Sequence, residues 1–447
     1  MNIIILSHIR SLGKATGLID AEKQHTIIIV CDAGFEQYEK PYLDGVSHIL
    51  TVDNFNITEI TKHIPNCDRI WCISENLLPI QSQLESFYGI DNLNPYTAEI
   101  LSNKQKFDDH CRQIGLDQFI PKSITPLTET DLDLFEDREF ITKPDIGSGL
   151  NIFFPESDKN SPLIEYQRWK NKNHFLEHLK KNNCYDKFFQ LNKNGVFNKR
   201  FNNKPCRIMA QEFHESIVPP ITTIGLLSRG KIKYSHWSKI SKTNSSFLAD
   251  PLSTPLESHS ISHTAGLTTF RGTWQIDEEI IDTNIREQIN YFIETLTNSL
   301  KIKNELFFAG PEYFVNKNNQ VIAIDFNPRP AGVSSKFEKT PEKGNMYALL
   351  NNKPLTDKKK FFFGCSNLKP GVVKKVKSLE HLRPFLDVEN IEIKEGTVIP
   401  EFQHAYHKTH ILNFKILGNS QEELFAKYLK LNQQLQDCII YEDDNET

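Results

Sequence analysis

The stretch QVIAIDFNPRPAG, residues 320–332, starts as an apolar strand and ends polar. Asp325, Asn327 and Arg329 take every second position, where a buried strand carries Val or Ile. Successive strand side chains point to opposite faces, so these three share one side and Ile322, Ile324 and Phe326 the other. Upstream, ELFFAGPEYFV (305–315) reads as a second strand, and NKNN (316–319) is turn material.

A hairpin closed symmetrically about that four-residue turn pairs Val315 with Gln320 and Glu312 with Ala323. Glu312 is then diagonal to Asp325, roughly 7–8 Å away at the backbone. Two carboxylates reaching inward from there can share a cation, with Asn327 adding a neutral oxygen and Arg329 a bidentate anion clamp. An all-oxygen set with one or two carboxylates suits Mg²⁺, phosphate oxygens and water completing the shell. The competing reading is a wet hairpin face on which Asp325 and Arg329 form an ordinary surface pair. Apolar flanks on both strands and the NPRP ending argue against it.

The 447 residues are enough for about three domains. A formal charge of −5 gives no reason to expect nucleic acid or an anionic membrane. No apolar stretch approaches the roughly eighteen residues of a membrane helix, and MNIIILSHIR reads as a buried first strand rather than a signal peptide. The eight cysteines include no CxxC pair, which fits reduced core thiols in a cytoplasmic protein. His404, His407 and His410 resemble a metal tract, but their segment alternates like a strand, which turns His407 away from the other two. His259 and His263 fall in a Ser/Thr/Pro-rich loop.

Three units follow from the pattern. Residues 1–95 alternate strands (NIIIL, HTIIIVCD, SHILTV, DRIWCISE) with helical spacing such as LPIQSQLESFYGI, the signature of a small parallel α/β sheet. They carry no GxGxxG fingerprint. Residues 96–345 hold mixed strands and the polar hairpin, with 156–204 reading as an exposed Asn/Lys-rich insertion bearing one helix near NHFLEHLKKN. Residues 346–447 form a third, α+β unit with strands GVVKKV, IEIKEGTVI and THILNFKIL. Its helix is SQEELFAKYLKLNQQL, opened by a Ser420/Glu423 capping box.

Other residues join the phosphate theme. SNKQKFDDHCRQIG (102–115) starts a helix with a Ser102/Gln105 capping box, placing Lys104 in the first turn, where an incoming phosphate gains from both lysine and helix end. In FITKPDIGSGLNIFF (140–154) a strand ends at Lys143 and Pro144, and Gly147-Ser148-Gly149 forms a loop able to approach a ligand. CRIMAQEF (206–213) follows as a strand ending Gln211-Glu212-Phe213, and then ITTIGLLSRGKIKYSHWSK (221–239) as a hairpin.

In this order, over nearly the whole chain, these motifs resemble the ATP-grasp superfamily, in particular L-amino-acid-ligase and biotin-carboxylase-like members. The set Glu312…Asp325-x-Asn327-x-Arg329 after the Lys143–Gly149 loop carries most of that resemblance. It implies a three-domain α/β architecture: a parallel α/β pre-ATP-grasp domain at 1–95, the ATP-grasp α+β domain at 96–345 and a C-terminal α+β domain at 346–447. It also implies an ATP- and Mg²⁺- or Mn²⁺-dependent ligase that joins a small carboxylate, such as an amino acid, to an amine through an acyl phosphate, releasing ADP and phosphate. A purine-pathway-like or bicarbonate-using enzyme is the alternative within the superfamily, and a nucleotide-binding protein without turnover the alternative outside it. Partners are small molecules, with a homodimer left open.

Carried over by residue, Lys104 and Lys143 contact ATP phosphates, and Gly147, Ser148 and Gly149 close over them. Gln211, Glu212 and Phe213 form the hinge that reads adenine. Glu312, Asp325 and Asn327 hold the metal, while Arg329, with Lys143, faces the transferred phosphoryl group. His236, Lys239 and Arg271 are further substrate or phosphate contacts. Two positions depart from the pattern. Asp325 stands where most members have Glu, and Pro219-Pro220 occupies the region of the ribose carboxylate, leaving Glu215 as a substitute.

Overall fold

The computed structural model describes residues 1–8, 16–32, 43–147, 167–197, 204–214, 216–218, 220–228, 231–241, 272–276, 278–303, 305–324, 326–330, 349–351, 360–366, 371–378, 382, 394–399 and 412–442. Ser148, Gly149, Glu215, Arg271, Asp325 and the histidines at 259, 263, 404, 407 and 410 lie outside the described residues.

The N-terminal unit is built as its alternation predicts. Strands β1 (Asn2–Ser7), β2 (Thr26–Asp32), β3 (His48–Val52) and β4 (Arg69–Cys72) form one parallel sheet in the order β3-β2-β1-β4. Helices α1 (Thr16–Glu22) and α2 (Ile57–His63) lie between the strands in the chain, and α3 (Leu78–Tyr88) follows β4. Near-continuous Ile and Val in β1 and β2 reflect a sheet covered on both faces.

The chain continues through α4 (Pro95–Ser102) directly into α5 (Lys104–Gln113). Here the expected capping box is corrected. Ser102 ends α4, its hydroxyl donating to the Glu99 carbonyl, and Asn103 is the N-cap of α5, its side chain accepting from the Lys106 amide at 3.0 Å. An Asn carbonyl reaches the orphan amide directly, so Ser102 is free to close the preceding turn. Lys104 still opens the helix.

A small lobe follows. Strands β5 (Ser123–Ile124), β6 (Phe140–Pro144) and β7 (Gln167–Trp169) precede α6 (Lys172–Lys181) and α7 (Tyr185–Asn194), then the short pair β8 (Val196–Phe197) and β9 (Pro205–Cys206), and β10 (Ile208–Glu212). The sheet order is β5-β10-β6-β7. The expectation of an exposed insertion with one helix fails here. Phe175, Leu176, Leu179, Phe188 and Phe189, on two helices, are buried against Phe135, Phe140 and Trp169 and form the core of the lobe. The Asn and Lys residues between them are its wet face.

Strands β11 (Ile221–Ser228) and β12 (Lys231–Ser241) make the expected hairpin, followed by β13 (Gly272–Ile276), α8 (Thr283–Leu300), β14 (Glu305–Val315) and β15 (Val321–Ala323). Strands β16 (Lys360–Ser366) and β19 (Leu412–Gly418) extend their sheet across position 345, giving the order β15-β14-β11-β12-β13-β16-β19. The remaining C-terminal strands, β17 (Gly371–Val376), β18 (Val398–Ile399) and β20 (Ile439–Tyr441), form a sheet of their own. Helix α9 (Gln421–Cys438) opens as expected, with the Glu423 amide on the Ser420 hydroxyl. The Glu423 carboxylate closes back on the Asn419 amide rather than on that of Ser420.

The register of the opening hairpin differs from the symmetric reading by one residue. Tyr313 pairs with Ala323, and Val315 with Val321. Asn319 adopts the left-handed conformation at φ 56°, and Asn316 joins the ladder, its amide donating to the Gln320 carbonyl. The loop thus closes in three residues rather than four. One residue of slip exchanges the faces. Tyr313, Val315, Val321 and Ala323 pack into the core with Ile289, Phe292 and Leu296 of α8. Glu312 stands opposite Ile324, whose amide donates to the Glu312 carbonyl. The regular strand ends at Ala323, so the polar segment leaves the sheet instead of continuing its alternation.

Among the described residues, no helix is long and apolar enough to cross a membrane. Their cysteines at 31, 67, 72, 111, 184, 206 and 438 are buried thiols outside any disulfide, as small core residues. Burial pushes the Cys67 thiol up to about 11.

Candidate active site

Four chain segments meet at one cleft: the start of α5, the end of β6, the chain leaving β15 and the turn after β4. Glu75, Asn103, Lys104, Asp108, Gly147, Phe326 and Asn327 are among its walls. The sequence reading thus finds Lys104, Gly147 and Asn327 in one place, although they span more than two hundred positions of the chain.

On the first wall, the Lys104 ammonium donates to the Gly147 carbonyl oxygen at 2.6 Å. Gly147 takes a left-handed φ of 76°, which favours glycine. Asp145 fixes this arrangement. Its carboxylate accepts from the Arg207 amide at 2.7 Å and from the Asn103 side chain at 2.9 Å, while its carbonyl accepts from the Lys104 amide at 2.7 Å. Burial raises the Asp145 carboxyl above the ordinary range despite those donors. The helix start and the glycine turn are therefore one rigid piece.

Lys143 is deeper, 5 % exposed on β6 and opposite Met209 of β10. Its charge acts on Asp108, which is one helical turn beyond Lys104 and 2 % exposed. Asp108 also accepts from the Ser123 hydroxyl at 2.6 Å and the Gln211 amide at 3.1 Å. Burial raises its carboxyl above the usual range, ahead of the opposing effects of Lys143, Ser123, Arg112 and Gln211. Gln211 is thus tied to this buried carboxylate.

The segment expected to form the hinge is more occupied than the sequence suggests. The Glu212 amide donates to Lys122 and the Phe213 amide to Glu139, both to carbonyl oxygens. Both amides are thus committed to the main chain. The Glu212 carboxylate pairs with Arg138 at 3.0 Å and lies 3.6 Å from the His214 ring. The His214 contact, with the Lys122 amide and Arg138, holds it down at about 2. Phe213 lies under the Arg168 guanidinium, 3.8 Å from its ring centre.

On the opposite wall, Arg329 Nη2 donates to the Asn327 side-chain oxygen at 3.0 Å, and its Nε to Glu75 at 2.6 Å. Both partners of the Glu75–Arg329 pair are largely buried. Phe326 stacks between Phe107 of α5, at 5.5 Å and 4° between planes, and Phe308 of β14. That stack holds the Asn327–Arg329 segment against the helix carrying Lys104. Glu312 is half-buried on β14, opposite Thr222. His236 and Lys239 are described as β12 backbone, opposite Ile224 and Ile221.

Glu75, Asp108 and Asp145 were missed by sequence reasoning. Asp108 had a signal, since it shares a helix face with Lys104, and so had Asp145, which lies inside the quoted loop motif. Glu75 had none.

No family model and no curated protein matches the sequence. Solved structures do. An L-amino acid ligase from Bacillus licheniformis superposes with a TM-score of 0.64 over 99 % of both chains, at 13 % identity. The chain has the ATP-grasp fold. A phosphoribosylglycinamide synthetase from Anaerococcus prevotii matches at 0.56, 13 % identity and 99 % of both chains. An ADP-complexed N5-carboxyaminoimidazole synthetase from Staphylococcus aureus matches at 0.58, 13 % identity and 96 % of both chains. At such identity the likeness is one of ATP-grasp fold, carried across the full length.

Proposed function

We propose that the chain is an ATP- and Mg²⁺-dependent carboxylate–amine ligase that joins amino acids or closely related substrates. The observation that carries this reading is the meeting of Lys104 and Gly147 with Asn327 across one cleft, Asn327 accepting in turn from Arg329. A cation and a glycine turn on one side, with an amide oxygen braced by a guanidinium on the other, suit a nucleoside triphosphate held between them. All three likenesses span nearly the full length at 13 % identity, and the higher TM-score of the L-amino acid ligase, 0.64 against 0.56 and 0.58, is what favours amino acids here.

The donors fit a hard divalent cation. Glu312 offers carboxylate oxygens and Asn327 a side-chain amide oxygen, and Asp325 is a further carboxylate in the sequence beside them. Glu312, Asp325 and Asn327 would hold Mg²⁺, which when bound neutralises phosphate charge during transfer.

The chain's own residues do the rest. Lys104 and Lys143 bind and orient the phosphates, and the 147–149 loop excludes water from them. Arg329 stabilises charge at the γ-phosphoryl group while a substrate carboxylate oxygen attacks phosphorus and ADP leaves. The amine then attacks the acyl phosphate carbon, and the C–O bond to phosphate breaks. Positioning and charge neutralisation supply most of the rate.

The test is phosphate release from ATP with Mg²⁺ over pairs of amino acids, with the product identified by mass. A pair-dependent signal with a new amide is expected. Phosphate release independent of any carboxylate, or none with any pair, would count against the reading.

A further inference from the structure

In the order β2-β1-β4, three neighbouring parallel strands end side by side. Their carboxyl ends bring together Asp32, at the last position of β2, His8, just after β1, and Ser74 and Asn76, just after β4. The carboxyl edge of a parallel sheet is where such folds place functional groups. His8 is 5 % exposed, and Ser74 and Asn76 are buried with it.

Contacts run along this edge in sequence. His8 Nδ1 lies 2.9 Å from both Asp32 carboxylate oxygens, and His8 Nε2 lies 2.8 Å from the Asn76 amide nitrogen. The His8 main-chain amide donates to the Ser74 hydroxyl at 3.3 Å, and the Phe55 ring packs edge-on against the imidazole. If Nδ1–H donates to Asp32, Nε2 accepts from Asn76, an assignment that satisfies each partner. Nε2 is therefore capped by the protein, so His8 is not presented as a base to the cleft. Asn76 adjoins Glu75, the residue that holds Arg329 Nε at 2.6 Å.

A buried polar chain adds little stability over an apolar filling of similar shape, whereas a fully satisfied one fixes geometry. This chain ends at Asn76, the next residue in sequence after Glu75, whose carboxylate holds Arg329. We propose that Asp32, His8 and Asn76 are positioning residues that hold Glu75, and through it orient Arg329 for phosphoryl transfer. The N-terminal sheet would thereby set the geometry of a group 321 positions away from His8 in the chain. The inference rests on the reading of Arg329 given above.

Two substitutions divide the relay. His8→Asn keeps a donor near Nδ1 for Asp32 and removes the link to Asn76, whereas His8→Gln places an amide near Nε2 and keeps that link. The direct readout is hydrogen exchange of the Arg329 Nε–H in the full chain labelled with ¹⁵N-arginine, assigned by loss of the signal in Arg329→Lys. In His8→Asn that exchange should quicken about tenfold or more, the scale of one charge-assisted hydrogen bond. In His8→Gln, which loses the Asp32 contact but keeps the link to Asn76, it should quicken by a smaller, intermediate factor. Turnover at saturating ATP should fall in His8→Asn with the KM for ATP unchanged. Unchanged exchange in a folded His8→Asn protein, or an effect on KM alone, would overturn the relay. Should His8→Asn fail to fold, Asn76→Leu cuts the same link and carries the same expectation. If the unmodified protein turns over no substrate pair, the ligase reading fails while the exchange measurement still decides the relay.

Discussion

The Lys104 ammonium is bonded to the Gly147 carbonyl oxygen, so the helix start and the glycine turn form one surface toward the cleft. A cation in the first helical turn is disfavoured by the helix dipole. On the proposed reading, an incoming phosphate would gain from both the lysine and the helix end. Lys104→Ala should leave the melting temperature almost unchanged and weaken ATP binding about tenfold, as read by calorimetry. Amide exchange over 145–147 should slow when an ATP analogue binds, because the turn then carries phosphate. Unaltered affinity would remove Lys104 from the site.

Lys143 behaves differently because it is buried beside Asp108. Lys143→Met should weaken nucleotide binding and also lower stability, since it leaves a buried carboxylate without its cation. Adding Asp108→Asn should recover part of that stability but none of the nucleotide affinity. Chemical denaturation of the single and double variants reads the first effect, and calorimetry the second.

The residues that sequence reasoning found share a local signature, and those it missed do not. The four parallel strands, the hairpins and Lys104 were legible because periodicity, caps and glycines act within a few residues. The hairpin register was misjudged by one because the left-handed Asn319 shortens the loop, a choice between two closures that composition does not distinguish. The helices at 172–194 were read as an insertion because their Asn and Lys outweigh the Phe and Leu stripes that fill the lobe. Glu75 was invisible for another reason. Its partner Arg329 is 254 positions away, and only the folded chain brings the two together.

Glu85 gives a pH dependence. Its carboxylate is buried on α3, accepting from Gln81, Asn92 and the Leu93 amide, and burial pushes it from 4.5 to about 7. Between those values the folded protein binds a proton that the unfolded chain releases. Stability contributed by this group is therefore present below about pH 4.5 and lost as pH rises through 7, by roughly 3 kcal/mol. Urea titrations across pH 5–8 should show the decline in the unmodified protein and a much flatter profile in Glu85→Gln.

Asp325 is expected to hold the metal. Asp325→Asn should nearly abolish turnover at little cost in stability, because it keeps shape and removes the charge that holds Mg²⁺ against the phosphates. Asp325→Glu should retain activity, the carboxylate being what matters rather than its reach. If Asp325 only paired with Arg329 on a wet face, a contact worth about 0–1 kcal/mol, the Asn variant would stay active. Phosphate release across a Mg²⁺ titration separates the outcomes.

The central claim, that a substrate carboxylate is phosphorylated before an amine displaces the phosphate, is tested most directly by an oxygen label. With an amino acid carrying ¹⁸O in its carboxylate, attack on the γ-phosphorus moves one labelled oxygen into the acyl phosphate bridge. Breaking the C–O bond then leaves that oxygen on phosphate. The account predicts one ¹⁸O per released phosphate, with ADP unlabelled and the amide formed in equal amount. Amide formation with label in AMP, or phosphate free of label, would contradict it.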